Sequence, residues 1–227
     1  MAKQVIMIYG QPGAGKGTQA YLVESVKGFH HFDTGKYLEQ VVRDPANAKN
    51  KVVQRERKLF DSGILLTPSW VLNIVKNKAV SFAKAGQGLV FSGSPRTLFE
   101  AFGDSKNEGL ISILEKAYGK KNLKFFYLRV SPKTSIWRNS HRMVCSLCGA
   151  PVLHHAGKLA HCAFCGAPLR TRTLDKPEVI KVRIKEYQQR TLPILNRLKK
   201  MGYKINEISG EPAPYKVFKQ ISKKLNN

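Results

Sequence analysis

Short, continuous apolar runs separated by longer stretches with helical periodicity organise this chain. The first run is Val5–Tyr9, and further runs lie at residues 88–91 and 123–130. A strand that is buried on both faces of a parallel sheet has such an unbroken run of apolar residues. Because these runs alternate with helix-like stretches, the pattern predicts an α/β fold with a parallel sheet flanked by helices.

Start signals place several of the intervening helices. Thr67 suits an N-cap and Pro68 the first helical position, and apolar residues then recur at helical spacing before Gly86. We expect further helices at residues 19–26, at 177–190 after Pro177, and at the basic C-terminal residues 216–227. The C-terminal helix has an apolar face, which predicts that it docks on the core.

Residues 143–172 break this rhythm and resemble an insertion, because they contain all four cysteines of the chain. The motif Cys-x-x-Cys-Gly-Ala-Pro occurs there twice, with Cys145, Cys148, Cys162 and Cys165. Two such turns can aim four thiolates at one point, which favours a structural Zn²⁺ ion over a redox dithiol. We expect the nearby His154, His155 and His161 to lie on the surface rather than to bind the metal.

Composition and charge restrict the class of protein. The 227 residues are 42% hydrophobic and 24% charged, which fits one soluble domain with a small insertion. No apolar run suits a membrane span or a signal peptide, so the expected location is the cytoplasm. The net charge is +24, and residues 114–227 carry 24 basic and 6 acidic groups. This surplus predicts attraction to polyanions without identifying which.

A glycine-rich turn with a lysine follows the first predicted strand and precedes a predicted helix. Inward-facing backbone N–H groups and the positive end of the helix would bind phosphate there. Lys16 would reach the β- and γ-phosphates, and Thr18 would hold a phosphate oxygen or the Mg²⁺ shell. The predicted nucleotide contacts are Gly10, Pro12, Gly13, Ala14, Gly15, Lys16, Gly17 and Thr18.

The form Gly-x-Pro-Gly-x-Gly-Lys-Gly-Thr resembles the adenylate kinases and related nucleoside monophosphate kinases. The segment 33–38, Asp-Thr-Gly-Lys-Tyr-Leu, is similar to the family's Ser-Thr-Gly-Asp-x-Leu-Arg. Residues 61–67 resemble the strip that receives the adenine and ribose of AMP. The segment 92–97, Ser-Gly-Ser-Pro-Arg-Thr, is similar to Asp-Gly-Phe-Pro-Arg-Thr. The resemblance covers nearly the whole chain.

This resemblance implies a P-loop fold with three functional parts and a set of site residues. The core would comprise residues 1–33, 70–142 and 173–227, with a helical monophosphate-binding segment at 34–69 and a zinc-knuckle lid at 143–172. The implied catalytic residues are Lys16, Arg96, Arg138, Arg142, Arg172 and Arg183. Arg138 and Arg142 are four residues apart, which would put them on one face of a helix, and they would flank the adenine and phosphates of ATP. The implied monophosphate contacts are Thr34, Gly35, Leu38, Leu66, Gly93, Arg96, Glu100, Arg172 and Arg183.

Three residues depart from the family pattern at positions that matter. Ser92 replaces an aspartate that organises Mg²⁺, which leaves Thr18, water and Asp33 as candidates beside the nucleotide phosphates. Glu39 replaces an arginine near the AMP phosphate, and Arg43, one helical turn later, is the candidate to compensate. Glu100 replaces a glutamine that reads the adenine edge, and an ionised carboxylate only accepts hydrogen bonds.

The implied activity is Mg²⁺-dependent transfer of a phosphoryl group from ATP to AMP, giving two ADP. One alternative within the fold is a kinase for another monophosphate, such as CMP or UMP. A third hypothesis is a catalytically weakened relative that binds nucleic acid through its basic second half. We prefer to explain most of the excess positive charge by a lysine-rich surface that has no specific partner. The resemblance also implies that the protein is a monomer. The family usually has two acidic residues shortly after the arginine that corresponds to Arg172, and this chain has Leu174 and Asp175 there.

Overall fold

Five parallel strands form the central sheet of the protein. The computed structural model describes residues 3–148, 150–152, 159–171 and 173–225. The strand order is His30–Phe32 (β2), Leu89–Phe91 (β3), Val5–Tyr9 (β1), Leu123–Arg129 (β4) and Ile205–Ser209 (β8). The three strands predicted from apolar runs are therefore confirmed, whereas β2 and β8 lie at the sheet edges and lack such runs.

Helices cover both faces of this sheet. Within the described ranges they are Lys16–Lys27 (α1), Thr34–Arg43 (α2), Lys51–Ser62 (α3), Pro68–Lys84 (α4), Leu98–Phe102 (α5), Leu110–Tyr118 (α6), Pro132–Ser140 (α7), Pro177–Glu186 (α8), Leu192–Lys200 (α9) and Pro214–Leu225 (α10). None of these described helices combines the length and apolar character needed to cross a membrane.

The central strand explains why its sequence is apolar at every position. Val5 and Met7 belong to one hydrophobic cluster, which includes residues of α4, α6 and α9. Ile6 and Ile8 belong to a second cluster, which includes residues of α1 and α10. Successive side chains of a strand point to opposite faces, so an unbroken apolar run is buried on both sides.

A second, smaller sheet carries the cysteines. Its strands Met143–Cys145 (β5), Pro151–Val152 (β6) and Leu169–Thr171 (β7) are antiparallel, in the order β6-β5-β7. The turn after β5 contains Cys148, and Cys162 and Cys165 precede β7. All four cysteines are thus held at one end of a compact hairpin structure.

Two predicted helices differ in detail from those observed. The helix expected through residue 190 ends at Glu186 and continues as a π-helical turn, Tyr187–Thr191, before α9. Pro193 in the first turn of α9 has no backbone N–H, and the wider turn precedes it. The C-terminal helix α10 begins at Pro214 and not at residue 216; residues 226–227 lie outside the described ranges.

Candidate active site

The glycine-rich loop, residues 10–18, connects β1 to α1 as predicted. Gly15 caps α1 with φ 90°, and a Cβ atom there would meet nothing within 4 Å. Gly13 has φ 80°, and a Cβ atom there would lie 2.7 Å from Asn139 Nδ2. Glycine is therefore required at residue 13 both by its dihedral angle and by the close approach of α7. The loop leaves the positive end of α1 open towards an anion.

The Nζ of Lys16 donates to the carbonyl oxygens of Gly10 at 2.7 Å and Gln11 at 3.1 Å, and among the described residues no carboxylate forms an ion pair with it. Burial lowers the pKa of Lys16 well below its usual range, and the positive charges of Arg96, Arg183 and Arg142 lower it further. A phosphate would supply the missing negative charge and favour the protonated ammonium.

Arg96 is held at three points by contacts from different elements. Its backbone N–H donates to Glu100 Oε2 at 2.9 Å, and its carbonyl accepts from Thr191 Oγ1 at 2.8 Å. Its Nε donates to the carbonyl of Gly93 at 2.7 Å. A Cβ atom at Gly35 would lie 3.6 Å from Arg96 Nη2, so the guanidinium lies against the first turn of α2.

Asp175 joins two of the predicted phosphate-binding arginines. Arg142 donates to it through Nε at 2.8 Å and through Nη2 at 2.5 Å, and Arg183 Nη1 lies 3.3 Å away. The Asp175 side chain is only 3% exposed. A bidentate, buried pair of this kind fixes the direction of a guanidinium. The helix α7 ends at Ser140, so Arg142 is not on the helix that carries Arg138, contrary to our expectation.

Arg138 on α7 contacts backbone carbonyl oxygens of two loops. Its guanidinium donates to the carbonyl oxygens of Gly210 at 2.8 Å and Glu211 at 2.9 Å, and approaches that of Gly13 at 3.5 Å. It thus connects the loop after β8 to the glycine-rich loop. Arg172 lies outside the described residues.

One cavity lies between the glycine-rich loop, α2 and the segment 63–66. The predicted residues that line it are Gly10, Pro12, Lys16, Thr34, Gly35, Leu38, Leu66, Gly93, Arg96, Glu100 and Arg183. The remaining predicted nucleotide contacts do not line this cavity; they are Gly13, Ala14, Gly15, Gly17, Thr18, Arg138 and Arg142. The described monophosphate-side residues thus meet around one space.

Two glutamates accept hydrogen bonds from residues 65–67, which lie beside this cavity. Glu56 is fully buried and accepts from Thr67 N at 2.8 Å and Thr67 Oγ1 at 2.6 Å. Glu186 on α8 accepts from Leu65 N at 3.0 Å. Sequence reasoning missed both glutamates, as well as Thr191, because the contacts of Glu186 and Thr191 span 121 and 95 residues and leave no local signal.

The departures from the family pattern have their own partners. Ser92 Oγ lies 2.8 Å from His31 Nε2. Arg43 lies 3.4 Å from Glu39 and 2.7 Å from Asp61, so its charge is shared between two carboxylates at this position. Asp33 accepts from Lys36 N at 3.1 Å and caps α2, and its negative charge acts on both Lys16 and Arg96.

The four cysteines converge on one point, and none forms a disulfide. Cys145 Sγ lies 3.4 Å from Cys165 Sγ, Cys148 Sγ lies 3.8 Å from Cys162 Sγ, and all four sulfurs lie within 4.8 Å of one another. A tetrahedral Zn²⁺ with 2.3 Å bonds has sulfur atoms about 3.8 Å apart, so this donor set fits zinc.

The electrostatics of the cysteine cluster favour the thiolate form of Cys145 and disfavour that of Cys148. Burial opposes ionisation of Cys145, but hydrogen bonds from the N–H groups of Cys148 and Leu147 outweigh it and lower the pKa of Cys145 to about 6. Lys36 Nζ on α2 donates to the carbonyl oxygen of Cys148 at 3.4 Å. The turn that contains Cys148 therefore contacts α2.

Comparison with known proteins agrees with this geometry. The family model described as adenylate kinase matches residues 8–203. The adenylate kinase of Caldicellulosiruptor saccharolyticus is 31% identical over 209 residues, which is 91% of this chain and 92% of the relative. That of Pelobacter propionicus is 34% identical, with 83% and 82% of the two chains covered. That of Methanothrix thermoacetophila is 31% identical, with 97% and 98% covered. By these matches over most of its length, the chain belongs to the adenylate kinase family.

Proposed function

We propose that the protein catalyses the reversible, Mg²⁺-dependent transfer of the γ-phosphoryl group of ATP to AMP, giving two ADP. The observation that carries this proposal is the convergence of Lys16, Arg96 and Arg183 around one cavity in a chain of this family. Each cation comes from a different segment of the chain. We also propose that the enzyme works as a monomer in the cytoplasm.

Phosphoryl transfer requires positioned positive charge more than it requires a protein nucleophile. The transferred group carries its charge on three equatorial oxygens, and fixed cations stabilise that charge. Lys16 would bind the β- and γ-phosphates, with Gly10, Gly13 and Gly15 giving the backbone access to them. Arg142 and Arg183, aligned by Asp175, would bind the phosphoryl group in transit. Arg138 would complete the set on the ATP side, and Arg172 would join Arg183 in binding the phosphates from the lid side.

The acceptor would bind between α2 and the strip beside the cavity. Arg96 would bind the AMP phosphate, supported by Thr34 and Gly35 at the start of α2. Leu38 and Leu66 would contact the base from two sides, and the bonds from Glu56 and Glu186 fix the strip that contains Leu66. Gly93 and Glu100 complete the wall. An acceptor phosphate bound in this way would lie next to the positive charge around Lys16.

Magnesium would be held by hard oxygen donors of this chain and of the nucleotide. The available groups are the Thr18 hydroxyl and the Asp33 carboxylate, whose charge reaches Lys16 and Arg96. Oxygen ligands of this kind fit Mg²⁺, which keeps much of its water shell in such sites. The ion, when bound, neutralises charge on the phosphate oxygens. Ser92 would then contribute a hydroxyl fixed by His31 in place of a carboxylate.

The proposed enzyme has three functional parts, with the boundaries expected from the sequence. We propose that residues 1–33, 70–142 and 173–227 form the core, that 34–69 close on the monophosphate, and that 143–172 form a zinc-bearing lid. Segment 34–69 includes α2 and α3, and segment 143–172 includes the small sheet and the four cysteines. Closure of both segments would exclude water and limit hydrolysis of ATP.

The test is steady-state formation of diphosphates from Mg-ATP with AMP, CMP, UMP, GMP or dAMP. We expect preferential turnover with AMP. Lys16→Ala and Arg96→Ala should each reduce turnover by about 10² to 10⁴ while leaving the circular dichroism spectrum unchanged, because each removes charge stabilisation.

Lys219→Ala on the exposed face of α10 is the matched control and should keep normal turnover. Near-normal turnover in both active-site variants would remove the proposed mechanism. Preference for CMP or UMP would assign the enzyme to a different monophosphate.

A further inference from the structure

Helix α7 packs against the glycine-rich loop, and two of its residues are polar although they are completely buried. Ser135 and Asn139 are each 0% exposed, and because they are four residues apart they lie on the same face of the helix. Neither residue lines the cavity that contains Lys16. Burial of a polar side chain costs free energy unless hydrogen bonds compensate for it, so this face needs a physical explanation.

The polar face of α7 contacts two consecutive residues of the loop. Ser135 Oγ donates to the carbonyl oxygen of Pro12 at 2.6 Å. Asn139 Nδ2 donates to the carbonyl oxygen of Ser135 at 2.7 Å, and a Cβ atom at Gly13 would lie 2.7 Å from the same nitrogen. The two polar residues therefore hold one peptide unit, Pro12–Gly13, by one hydrogen bond and one close packing contact.

The hydrogen bond from Ser135 fixes the orientation of this peptide. The peptide is trans and planar, so its C=O and N–H bonds point in opposite directions. Pro12 lines the cavity and the buried Ser135 does not, so the carbonyl oxygen of Pro12 points to the side of the loop away from the cavity. The N–H of Gly13 belongs to the same peptide unit and therefore points to the side on which the cavity and Lys16 lie.

Glycine at residue 13 would otherwise leave this peptide free to turn over. Glycine adopts positive and negative φ about equally readily, and rotation about the bonds on either side of the peptide would exchange the positions of its carbonyl oxygen and its N–H. The turned peptide would present a carbonyl oxygen to the phosphates, and the partial negative charge of that oxygen repels an anion. A loop of this kind binds anions because successive backbone N–H groups face inward, so one turned peptide weakens the site.

We propose that Ser135 is a positioning residue for the phosphates of ATP, because its hydroxyl holds the Pro12 carbonyl and thereby keeps the N–H of Gly13 available to the bound nucleotide. This inference rests on the proposed function and adds a residue outside the cavity to its ATP site. Ser135 acts through the main chain of the loop and does not touch the nucleotide. The loop motif carries no signal of this residue, since the hydrogen bond spans 123 residues.

Equilibrium binding measures this effect without turnover. Calorimetric titration compares Mg-ATP with AMP, each added alone to wild type and to Ser135→Ala, which removes only the hydroxyl. Ser140→Ala is the matched control, because Ser140 is on the same helix and its hydroxyl donates to the carbonyl oxygen of Ile136 at 2.9 Å. Two-dimensional NMR of protein that contains isotope-labelled glycine follows the N–H of Gly13 directly.

We expect Ser135→Ala to raise the Kd for Mg-ATP about three- to tenfold, as for the loss of one neutral hydrogen bond, and to leave the Kd for AMP unchanged. In wild type the resonance of the Gly13 N–H should move downfield when Mg-ATP binds, because a hydrogen bond to phosphate deshields the proton. In Ser135→Ala saturated with Mg-ATP this movement should be smaller. Ser140→Ala should match wild type with both nucleotides.

Equal weakening of Mg-ATP and AMP binding by Ser135→Ala would overturn the inference, because it would indicate a general loss of structure. Unchanged Mg-ATP binding would also overturn it, as would a Gly13 resonance that Mg-ATP does not move in wild type, a result that does not depend on the folding of any variant. Any of these results together with normal formation of ADP would leave the proposed function intact. The expected binding pattern without turnover would contradict the proposed function and support the role of Ser135.

Discussion

Individual residues at the site are held by specific partners, some near in the sequence and some distant from it. Asp175 aligns Arg142 and Arg183, and Glu100 and Thr191 fix the main chain of Arg96. Catalysis by positioned charge depends on such fixed directions, because a displacement of about 1 Å can cost two orders of magnitude in rate. Loss of the residues that hold these arginines is therefore expected to reduce the proposed activity.

His31 makes stability depend on pH. Burial lowers its pKa, although the charges of Asp33 and Glu24 oppose this, and its Nε2 lies 2.8 Å from Ser92 Oγ. The unfolded state, with a pKa near 6.5, therefore binds a proton at a higher pH than the folded state does. Stability from neutral His31 is fully present above pH 6.5 and is lost as the pH falls towards the folded-state pKa.

We predict that His31→Gln flattens the fall in the free energy of unfolding between pH 7.5 and pH 5. Each unit of pKa difference contributes about 1.4 kcal/mol. Urea denaturation across this range measures the effect, with His141→Gln as the control. Parallel pH curves for wild type and His31→Gln would contradict this assignment.

At the scale of secondary structure, irregular turns place the functional groups. The glycine-rich loop needs Gly13 because α7 packs against it. The π-helical turn Tyr187–Thr191 carries Thr191, whose hydroxyl donates to Arg96 O. Single-turn π-helices are frequent at functional sites because they redirect side chains within a continuous helix.

The small sheet β5–β7 has a donor set that fits a metal ion. It has short strands, and its four cysteines lie within reach of one metal ion. We predict that the purified protein contains about one Zn²⁺ per chain and that chelation lowers its melting temperature, because metal binding contributes to folding.

Metal analysis, thermal denaturation and limited trypsin digestion check this prediction. Chelated protein and Cys148→Ser should be cleaved faster after Arg170 while the core remains folded, and Ser146→Ala should behave as wild type. Metal-free protein with unchanged melting and digestion would show that the cluster is not a structural zinc site.

At the scale of the whole molecule, positive charge exceeds what a nucleotide site requires. The formal net charge is +24. Exposed lysines on α10 contribute to it, namely Lys216, Lys219, Lys223 and Lys224. A diffuse surface of this kind attracts polyanions weakly, since salt screens exposed charges over about 8–10 Å.

We predict that RNA immobilised on a column retains the protein at low salt and releases it at or below about 0.15 M salt, the range in which surface charges are screened. Replacing Lys219, Lys223 and Lys224 with glutamine should lower the salt needed for release. Retention well above that concentration would instead favour a specific nucleic-acid partner.

The sequence by itself determined the core strands, the phosphate-binding loop and the cysteine pairs, because each depends on residues close together in the chain. Val5–Tyr9 is apolar throughout since both its faces are covered, and Gly13 and Gly15 have a positive φ that favours glycine. The edge strands, the π-helical turn and the contacts of Arg142 with Asp175 and of Arg138 with Gly210 were decided only by tertiary structure. Those features arise from contacts between residues that are distant in sequence, and a local pattern carries no signal of them.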